Sequence, residues 1–135
     1  MPSVRIRRDI LDQMLSHAAH DPLHECCGLL AGSDSAITAI FPASNAAANP
    51  ATSYEIASHD HFRIVREMRA ANLEHLGIYH SHPRGEITPS PRDIELAFYP
   101  DAAYFILSPA ADAKNPVRAF SIRDGIVSEL SIEIY

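Results

Sequence analysis

The stretch that decides the fold is LGIYHSHPRGEITPSPRD, residues 76–93. Its first part, residues 76–82, is largely apolar and predicts a strand, and the proline- and glycine-bearing residues 83–89 predict a loop. Ser90, followed by a proline and by an acid at Asp93, is typical of a helix start, because both side chains can bond free backbone N–H groups. We therefore expect a strand, a stiff loop and a short helix, in that order.

The chain on either side predicts an alternation of strands and helices. Apolar residues recur with a helical period in two segments, and short apolar or alternating runs bounded by turn residues predict strands. The pattern indicates an α/β fold: a single domain, residues 1–135, with a mixed β-sheet flanked by helices. The expected strands are 4–6, 25–31, 36–41, 54–57, 76–82, 104–107, 118–122 and 126–134, and the expected helices are 8–20, 58–73 and 90–98.

Composition excludes several classes of protein. The length of 135 residues suits one domain, and 47% apolar and 21% charged residues are ordinary for a globular protein. The net charge of −6 leaves no basic surface for phosphates, so we expect neither a nucleic acid nor a membrane as partner. Cys26 and Cys27 are neighbours and unsuited to a disulfide, and the N-terminus has no signal-like apolar run, which together predict a cytoplasmic location.

Two histidines at the end of the strand 76–82 indicate metal chemistry. His80 and His82 are two positions apart, so on a strand they face the same side and can reach one ion. Asp93, on the first turn of the following helix, can supply a third ligand. Two histidines and one carboxylate, with a fourth position left to water, are typical of a catalytic zinc site. Taken alone, the two histidines also suit an ordinary half-exposed strand.

A catalytic zinc site also needs a base and a donor for the oxyanion. Glu25 stands at the head of an apolar strand, where a carboxylate is costly to bury without a role, and is the candidate general base. The alternative is a solvated carboxylate at the strand edge. Ser90 is the candidate oxyanion donor. Ser90 and Asp93 also fit a plain capping box, and the two roles are compatible because a helix cap holds a ligand and a donor rigidly.

Three neighbouring features are expected to be structural. Ser81 points away from the side shared by its two neighbours, so we expect it to be packed or hydrogen-bonded. The second His-x-His pattern, residues 59–61, lies at a helix start, where residues two apart do not share a face, and is interpreted as a solvated cap. Cys26 and Cys27 suit the core, and a regulatory oxidation of either stays open.

The full pattern resembles a known family. Glu25, then His80-Ser81-His82, seven residues, Ser90, two residues and Asp93 resemble the JAMM, or MPN-plus, metalloprotease motif. Residues 25–30 are similar to the first strand of its compact prokaryotic members. The resemblance implies the JAMM/MPN fold, which has a cytidine-deaminase-like architecture. It also implies Zn2+ bound by His80, His82 and Asp93, with Glu25 as general base and Ser90 as oxyanion stabiliser.

The resemblance further implies a class of substrate. The family cleaves peptide or isopeptide bonds after the C-terminal tails of ubiquitin-like proteins. Only about ten residues separate Asp93 from the strand at 104, which leaves no room for the second insertion with which eukaryotic members grip ubiquitin. This favours a ubiquitin-fold sulfur-carrier protein with a Gly-Gly tail as substrate. Exposed strand edges leave room for a homodimer.

Two other functions stay open from the sequence. One is a non-catalytic binding or scaffold module that recognises ubiquitin-fold proteins, although scaffold relatives lack the ligands that this chain keeps. The other is a zinc deaminase, which is disfavoured because the chain has neither an H-x-E nor a C-x-x-C arrangement.

Overall fold

The structure is a computed structural model that describes residues 2–110 and 112–135. Helices and strands alternate along the chain, as the sequence predicts. Within the described residues, the elements are β1 (Ser3–Ile6), α1 (Arg8–His20), β2 (Cys27–Ser33), β3 (Ala36–Ala43), α2 (Ser58–Ala70), β4 (Glu74–Ser81), α3 (Pro91–Glu95), β5 (Ala103–Leu107), β6 (Val117–Arg123) and β7 (Ile126–Ile134).

The strands form one closed sheet in the order β1-β3-β2-β4-β5-β6-β7. β1 runs parallel to both of its neighbours, β3 and β7, and β4 runs parallel to β5, whereas the other pairs are antiparallel. β1 closes the sheet, but it pairs with only residues 36–37 of β3 and 131–134 of β7, so the rest of each of these two strands has a paired strand on one side only. The exposed strand edges expected from the sequence are therefore only partly covered by β1, and a homodimer stays a prediction.

The two longer helices pack on opposite faces of this sheet. Leu30 and Tyr79 belong to a core with α1, whereas Leu29 and Ile78 belong to a second core with α2. This alternation follows from the two-residue period of a strand, and it places His80 on the same face as Ile78. The mixed sheet flanked by helices is confirmed. No helix in the described ranges is long and apolar enough to cross a membrane.

Several predicted boundaries differ from the structure. β2 begins at Cys27 rather than at residue 25, because the Glu25 N–H donates to the Pro50 carbonyl oxygen instead of joining a strand ladder. The predicted strand 54–57 is only an isolated bridge between Asn45 and Ile56.

The second and third helices are shorter than predicted. α2 ends at Ala70 rather than at 73, since Asn72 adopts a left-handed backbone with φ of 55° that ends the helix. α3 ends at Glu95 rather than at 98. Its last turn has no buried residue to hold it, so the helix keeps only the turn that its N-cap stabilises.

Candidate metal centre

Four side chains with metal-binding atoms converge at the end of β4. Glu25, His80, His82 and Asp93 each contribute one nitrogen or oxygen to a cluster whose atoms all lie within 4.8 Å of one another. Glu25 precedes β2, His80 lies in β4, His82 follows that strand and Asp93 lies in α3. The pairing of β2 with β4 sets Cys27 opposite His80 and so brings Glu25 to the histidines.

Three of these atoms lie closer still. His80 Nε2 is 3.1 Å from His82 Nε2, and Asp93 Oδ2 is 3.2 Å from His80 Nε2 and 3.0 Å from His82 Nε2. For comparison, bonds of about 2.0–2.1 Å in a tetrahedral zinc site leave neighbouring ligand atoms about 3.3 Å apart. The three separations therefore fit a single metal ion held by these atoms.

The Nδ1 atoms of the two histidines, which face away from the cluster, differ in their hydrogen bonding. His82 Nδ1 lies 2.8 Å from the Glu86 carbonyl oxygen, which can only accept, so Nδ1 carries a proton and Nε2 is the ring atom that faces the cluster. His80 Nδ1 and Glu25 Oε1 are buried with no hydrogen-bond partner among the described residues. Unpartnered buried polar atoms are rare, and their presence here marks a site built for a ligand.

Burial and hydrogen bonding shift the pKa values in different directions. Burial raises the pKa of Glu25 to about 7, against the opposing charge of His82. Burial lowers the pKa of His80, which keeps its imidazole neutral. Burial would raise the pKa of Asp93, but hydrogen bonds from His80 and His82 outweigh it and hold this pKa well below its usual range. Near neutral pH the cluster therefore offers an ionised carboxylate, a neutral imidazole and a carboxyl group able to gain or lose a proton.

Ser90 lies next to the cluster through the start of α3. Its Oγ accepts a hydrogen bond from the Asp93 N–H at 3.1 Å, and Asp93 Oδ2 accepts from the Ser90 N–H at 2.9 Å. The predicted capping box is confirmed. The serine oxygen acts as an acceptor in this cap, so its hydroxyl proton is left for another acceptor.

The buried side of the cluster is supported by residues outside the motif. The Tyr54 ring stacks on the His80 ring, with centroids 4.4 Å apart and planes 20° from parallel. The Glu25 carbonyl oxygen accepts from Asn45 Nδ2 at 3.0 Å. Tyr54 and Asn45 could not be found from the sequence, because residues 42–53 predict only a loop and residues 54–57 only a short strand. No motif in this segment points to the cluster.

Ser81 and the two cysteines take the expected structural places. Ser81 Oγ accepts a hydrogen bond from the Cys26 N–H at 2.9 Å, which confirms that this serine is bonded away from the cluster. Cys26 and Cys27 are both buried. Burial raises the pKa of the Cys27 thiol to about 12, so this thiol stays protonated at neutral pH and is unsuited to nucleophilic work.

The second His-x-His pattern is not part of a metal-ligand cluster in the described ranges. Its interpretation as a solvated cap is wrong for Asp60, which is buried and accepts a hydrogen bond from the Ser44 N–H at 2.8 Å. Asp60 thus joins the first turn of α2 to the end of β3, because the chain between them folds back on itself.

A groove of about 270 Å³ opens beside the cluster. Tyr54 and Ile78 contribute to its largely apolar wall, and Arg92 and Glu55 lie at its polar rim. Since Tyr54 also stacks on His80, the groove and the cluster share one wall.

Known proteins resemble this chain over most of its length. Residues 7–123 match the family of prokaryotic homologs of the JAB domain, Prok-JAB. The chain is 41% identical over 107 residues to the desampylase of Haloferax volcanii, covering 75% of this chain and 77% of that protein. It is 34% identical over 131 residues to the CysO-cysteine peptidase of Mycobacterium tuberculosis, covering 96% and 89%. The solution structure of DSY2949 from Desulfitobacterium hafniense matches with a TM-score of 0.86 at 29% identity, covering 98% and 92%. The chain therefore belongs to the prokaryotic JAB-domain branch of the JAMM/MPN-plus family and is one of its peptidases.

Proposed function

We propose that this protein is a zinc-dependent metallopeptidase. Its substrate is the peptide or isopeptide bond after the C-terminal Gly-Gly tail of a ubiquitin-like protein of the sulfur-carrier type. The observation that carries the proposal is the cluster of three ligand atoms 3.0–3.2 Å apart with an unpartnered buried Glu25 oxygen beside them. The two relatives, a desampylase and a CysO-cysteine peptidase, support the substrate class. We assign the whole chain, residues 1–135, to one metallopeptidase domain that works in the cytoplasm.

His80, His82 and Asp93 are the proposed zinc ligands. When bound there, zinc would supply the Lewis acidity that polarises the scissile carbonyl and lowers the pKa of a bound water to about 7. The Glu86 carbonyl holds the His82 ring with Nε2 toward the cluster, and the capping box holds Asp93 Oδ2 toward the same point.

Glu25 is the proposed general base. Its unpartnered Oε1 is free to accept the proton of the attacking water, and the same carboxyl group can then pass that proton to the leaving amine. Both steps are accessible near neutral pH, because burial raises the pKa of this group to about 7.

Ser90 is the proposed donor to the oxyanion of the tetrahedral intermediate. Its hydroxyl proton is not used by the capping box, in which the serine oxygen accepts. The cap fixes this serine on the same turn as Asp93, so the donor needs no rearrangement when charge develops on the substrate oxygen.

A Gly-Gly tail suits the approach to this cluster. The wall of the groove is bulky at Tyr54, whose ring stacks on His80, so a segment without side chains passes most easily beside it. The rest of the tail can lie along the apolar wall.

The test is cleavage of ubiquitin-fold fusions that end in Gly-Gly-X, followed by mass spectrometry of the products. We expect the zinc-loaded protein to cut after the second glycine, and the matched Ala-Ala-X fusions to be cut at least about tenfold more slowly, since a misplaced scissile bond reacts poorly. Failure of the loaded protein to cut any fusion, or equal cutting of both tails, would contradict the proposal.

A further inference from the structure

Glu25 is not held by the sheet. β2 begins two residues later, so the main chain of Glu25 makes no strand ladder bonds. The segment 44–57 holds it instead: the Glu25 N–H donates to the Pro50 carbonyl oxygen at 2.8 Å, and the Glu25 carbonyl oxygen accepts from Asn45 Nδ2 at 3.0 Å. The position of this carboxyl group therefore depends on a segment outside the motif.

Asn45 is the centre of that segment. Besides the Glu25 carbonyl oxygen, its Nδ2 donates to the Ser53 carbonyl oxygen at 2.9 Å. Its Oδ1 accepts from the Ala47 N–H at 2.9 Å and the Glu55 N–H at 3.1 Å. A carboxamide has two donors and two acceptor sites, and here all four are used. Two carbonyl partners and two N–H partners also fix which atom of the amide faces which way.

Tyr54 lies between Ser53 and Glu55, the two residues whose main-chain groups Asn45 bonds. Its ring stacks on His80, whose Nδ1 has no partner among the described residues. Outside the cluster, His82 is oriented by a hydrogen bond to a carbonyl oxygen, whereas in the described part of the chain the ring of His80 is oriented there by packing. The stack on Tyr54 is therefore a contact from outside the cluster that helps to set the plane of the His80 imidazole.

The two ends of the segment are anchored independently of Asn45. The Ser44 N–H donates to Asp60 Oδ2 at 2.8 Å, and the Ala57 N–H donates to the Ser44 carbonyl oxygen at 3.1 Å. A change at Asn45 should therefore loosen the middle of the segment and leave its ends, and the sheet, in place.

We infer that Asn45 is a positioning residue for the buried side of the site: it holds Glu25 through the main-chain carbonyl and holds His80 through Tyr54. The inference rests on the proposed function for the roles of Glu25 and His80. The contacts themselves involve no metal and can be tested in metal-free protein.

The test uses Asn45→Asp, which keeps an oxygen to accept from Ala47 and Glu55 but removes the donors to the carbonyls of Glu25 and Ser53. The matched control is Asn49→Asp, the same change in the same segment at an exposed side chain. In metal-free protein, we expect nuclear Overhauser contacts between the rings of Tyr54 and His80 in the wild type and in Asn49→Asp, and their loss in Asn45→Asp.

Two further readouts separate positioning from a general loss of structure. Zinc affinity, measured by competition with a chelator, should fall about tenfold in Asn45→Asp, the effect expected when a group that orients a metal ligand is lost. At saturating zinc, kcat on the plateau of the pH profile should also fall about tenfold, with KM changed less than about threefold, because the base is misplaced while the groove is kept.

Tyr54 gives an independent pair of variants if Asn45→Asp does not fold. Tyr54→Leu removes the stacked ring and should lower zinc affinity about tenfold, whereas Tyr54→Phe keeps the ring and should restore most of that loss. Equal zinc affinity in these two variants would overturn the inference. So would an Asn45→Asp protein that keeps the ring contacts, zinc affinity and kcat of Asn49→Asp. A wild type that cuts no fusion overturns the proposed function instead, while the ring contacts and zinc affinities still decide the role of Asn45.

Discussion

The site has two halves that are held in different ways. The inner half, Glu25 and His80, is buried, and one polar atom of each has no hydrogen-bond partner within residues 2–110 and 112–135. The outer half, His82 and Asp93, is more exposed, and each residue has a hydrogen bond to its own loop: His82 Nδ1 donates to the Glu86 carbonyl oxygen, and Asp93 Oδ2 accepts from the Ser90 N–H. Packing and hydrogen bonds to the main chain of Glu25 therefore orient the inner half. Hydrogen bonds to residues that are close in sequence orient the outer half. The difference teaches that the positions of Glu25 and His80 depend on segments distant in sequence, whereas those of His82 and Asp93 depend on their own loop.

The largest expected effect comes from the inner half. Glu25→Gln keeps the shape of the side chain but removes its ability to accept and return a proton, so kcat should fall by about 10³ or more, within the usual range for general acid–base catalysis. Bound zinc, measured by elemental analysis, should be unchanged. Glu74→Gln, at an exposed position on β4, is the matched control. Turnover within tenfold of the wild type would remove Glu25 from the mechanism and leave the inner half without a catalytic role.

The next effect belongs to the outer half. Ser90→Ala removes the proposed oxyanion donor and should lower kcat about 10²-fold. It also removes a helix cap, which should lower the free energy of unfolding by about 1 kcal/mol. Ser58→Ala is the control, because Ser58 begins α2 without a side-chain capping bond. A variant that loses stability but keeps its kcat would reduce Ser90 to a structural cap.

A smaller effect should follow from loosening the loop that carries the outer half. Ile87 is buried against Ile106 and Phe120 and follows Glu86, whose carbonyl holds His82. Ile87→Ala should therefore lower zinc affinity about tenfold, because it loosens the hydrogen bond between His82 Nδ1 and the Glu86 carbonyl oxygen. Val127→Ala, at an exposed position on β7, is the comparison. Unchanged zinc affinity in Ile87→Ala would show that the strand end alone orients His82.

The smallest effect concerns Asp60, which anchors one end of the segment 44–57 by accepting a hydrogen bond from the Ser44 N–H. The hydrogen bond from the Ser44 N–H and the nearby Arg63 hold the pKa of Asp60 below its ordinary value. The ionised carboxylate therefore stabilises the fold above about pH 4, and this contribution is lost as the pH falls through the lowered pKa. Asp60→Asn should cost up to about 1 kcal/mol at pH 7, and in denaturant unfolding the two proteins should converge as the pH falls through the lowered pKa of Asp60. A difference that is the same at pH 3 and pH 7 would contradict this account of the anchor.

The same contrast explains what the sequence predicted. The outer half lies within twelve residues, His82 to Asp93, and a strand period that it shares with His80 plus a capping box fix its geometry locally, so its residues could be identified from their spacing. The inner half needed the resemblance to bring Glu25 to the histidines, since strand pairing carries no local signal. Asn45 and Tyr54 could not be found, because their contacts form only when residues 44–57 fold back onto Glu25 and β4.

In the fold, too, local elements could be predicted from the sequence and a long-range contact could not. The helix 8–20 and the strand 126–134 were predicted with the bounds that the structure has, because each shows a regular period. The closure of the sheet was missed. It depends on the four-residue strand β1 pairing with β7 at the other end of the chain, a long-range contact that no period reveals.

The most direct test of the account is the metal content of the protein purified without a metal-binding tag. Elemental analysis should find about one zinc per chain in the wild type and in His59→Ala, which removes an exposed histidine, and almost none in His82→Ala. A wild type that holds no zinc even after reloading, or a His82→Ala variant that keeps it, would contradict the account.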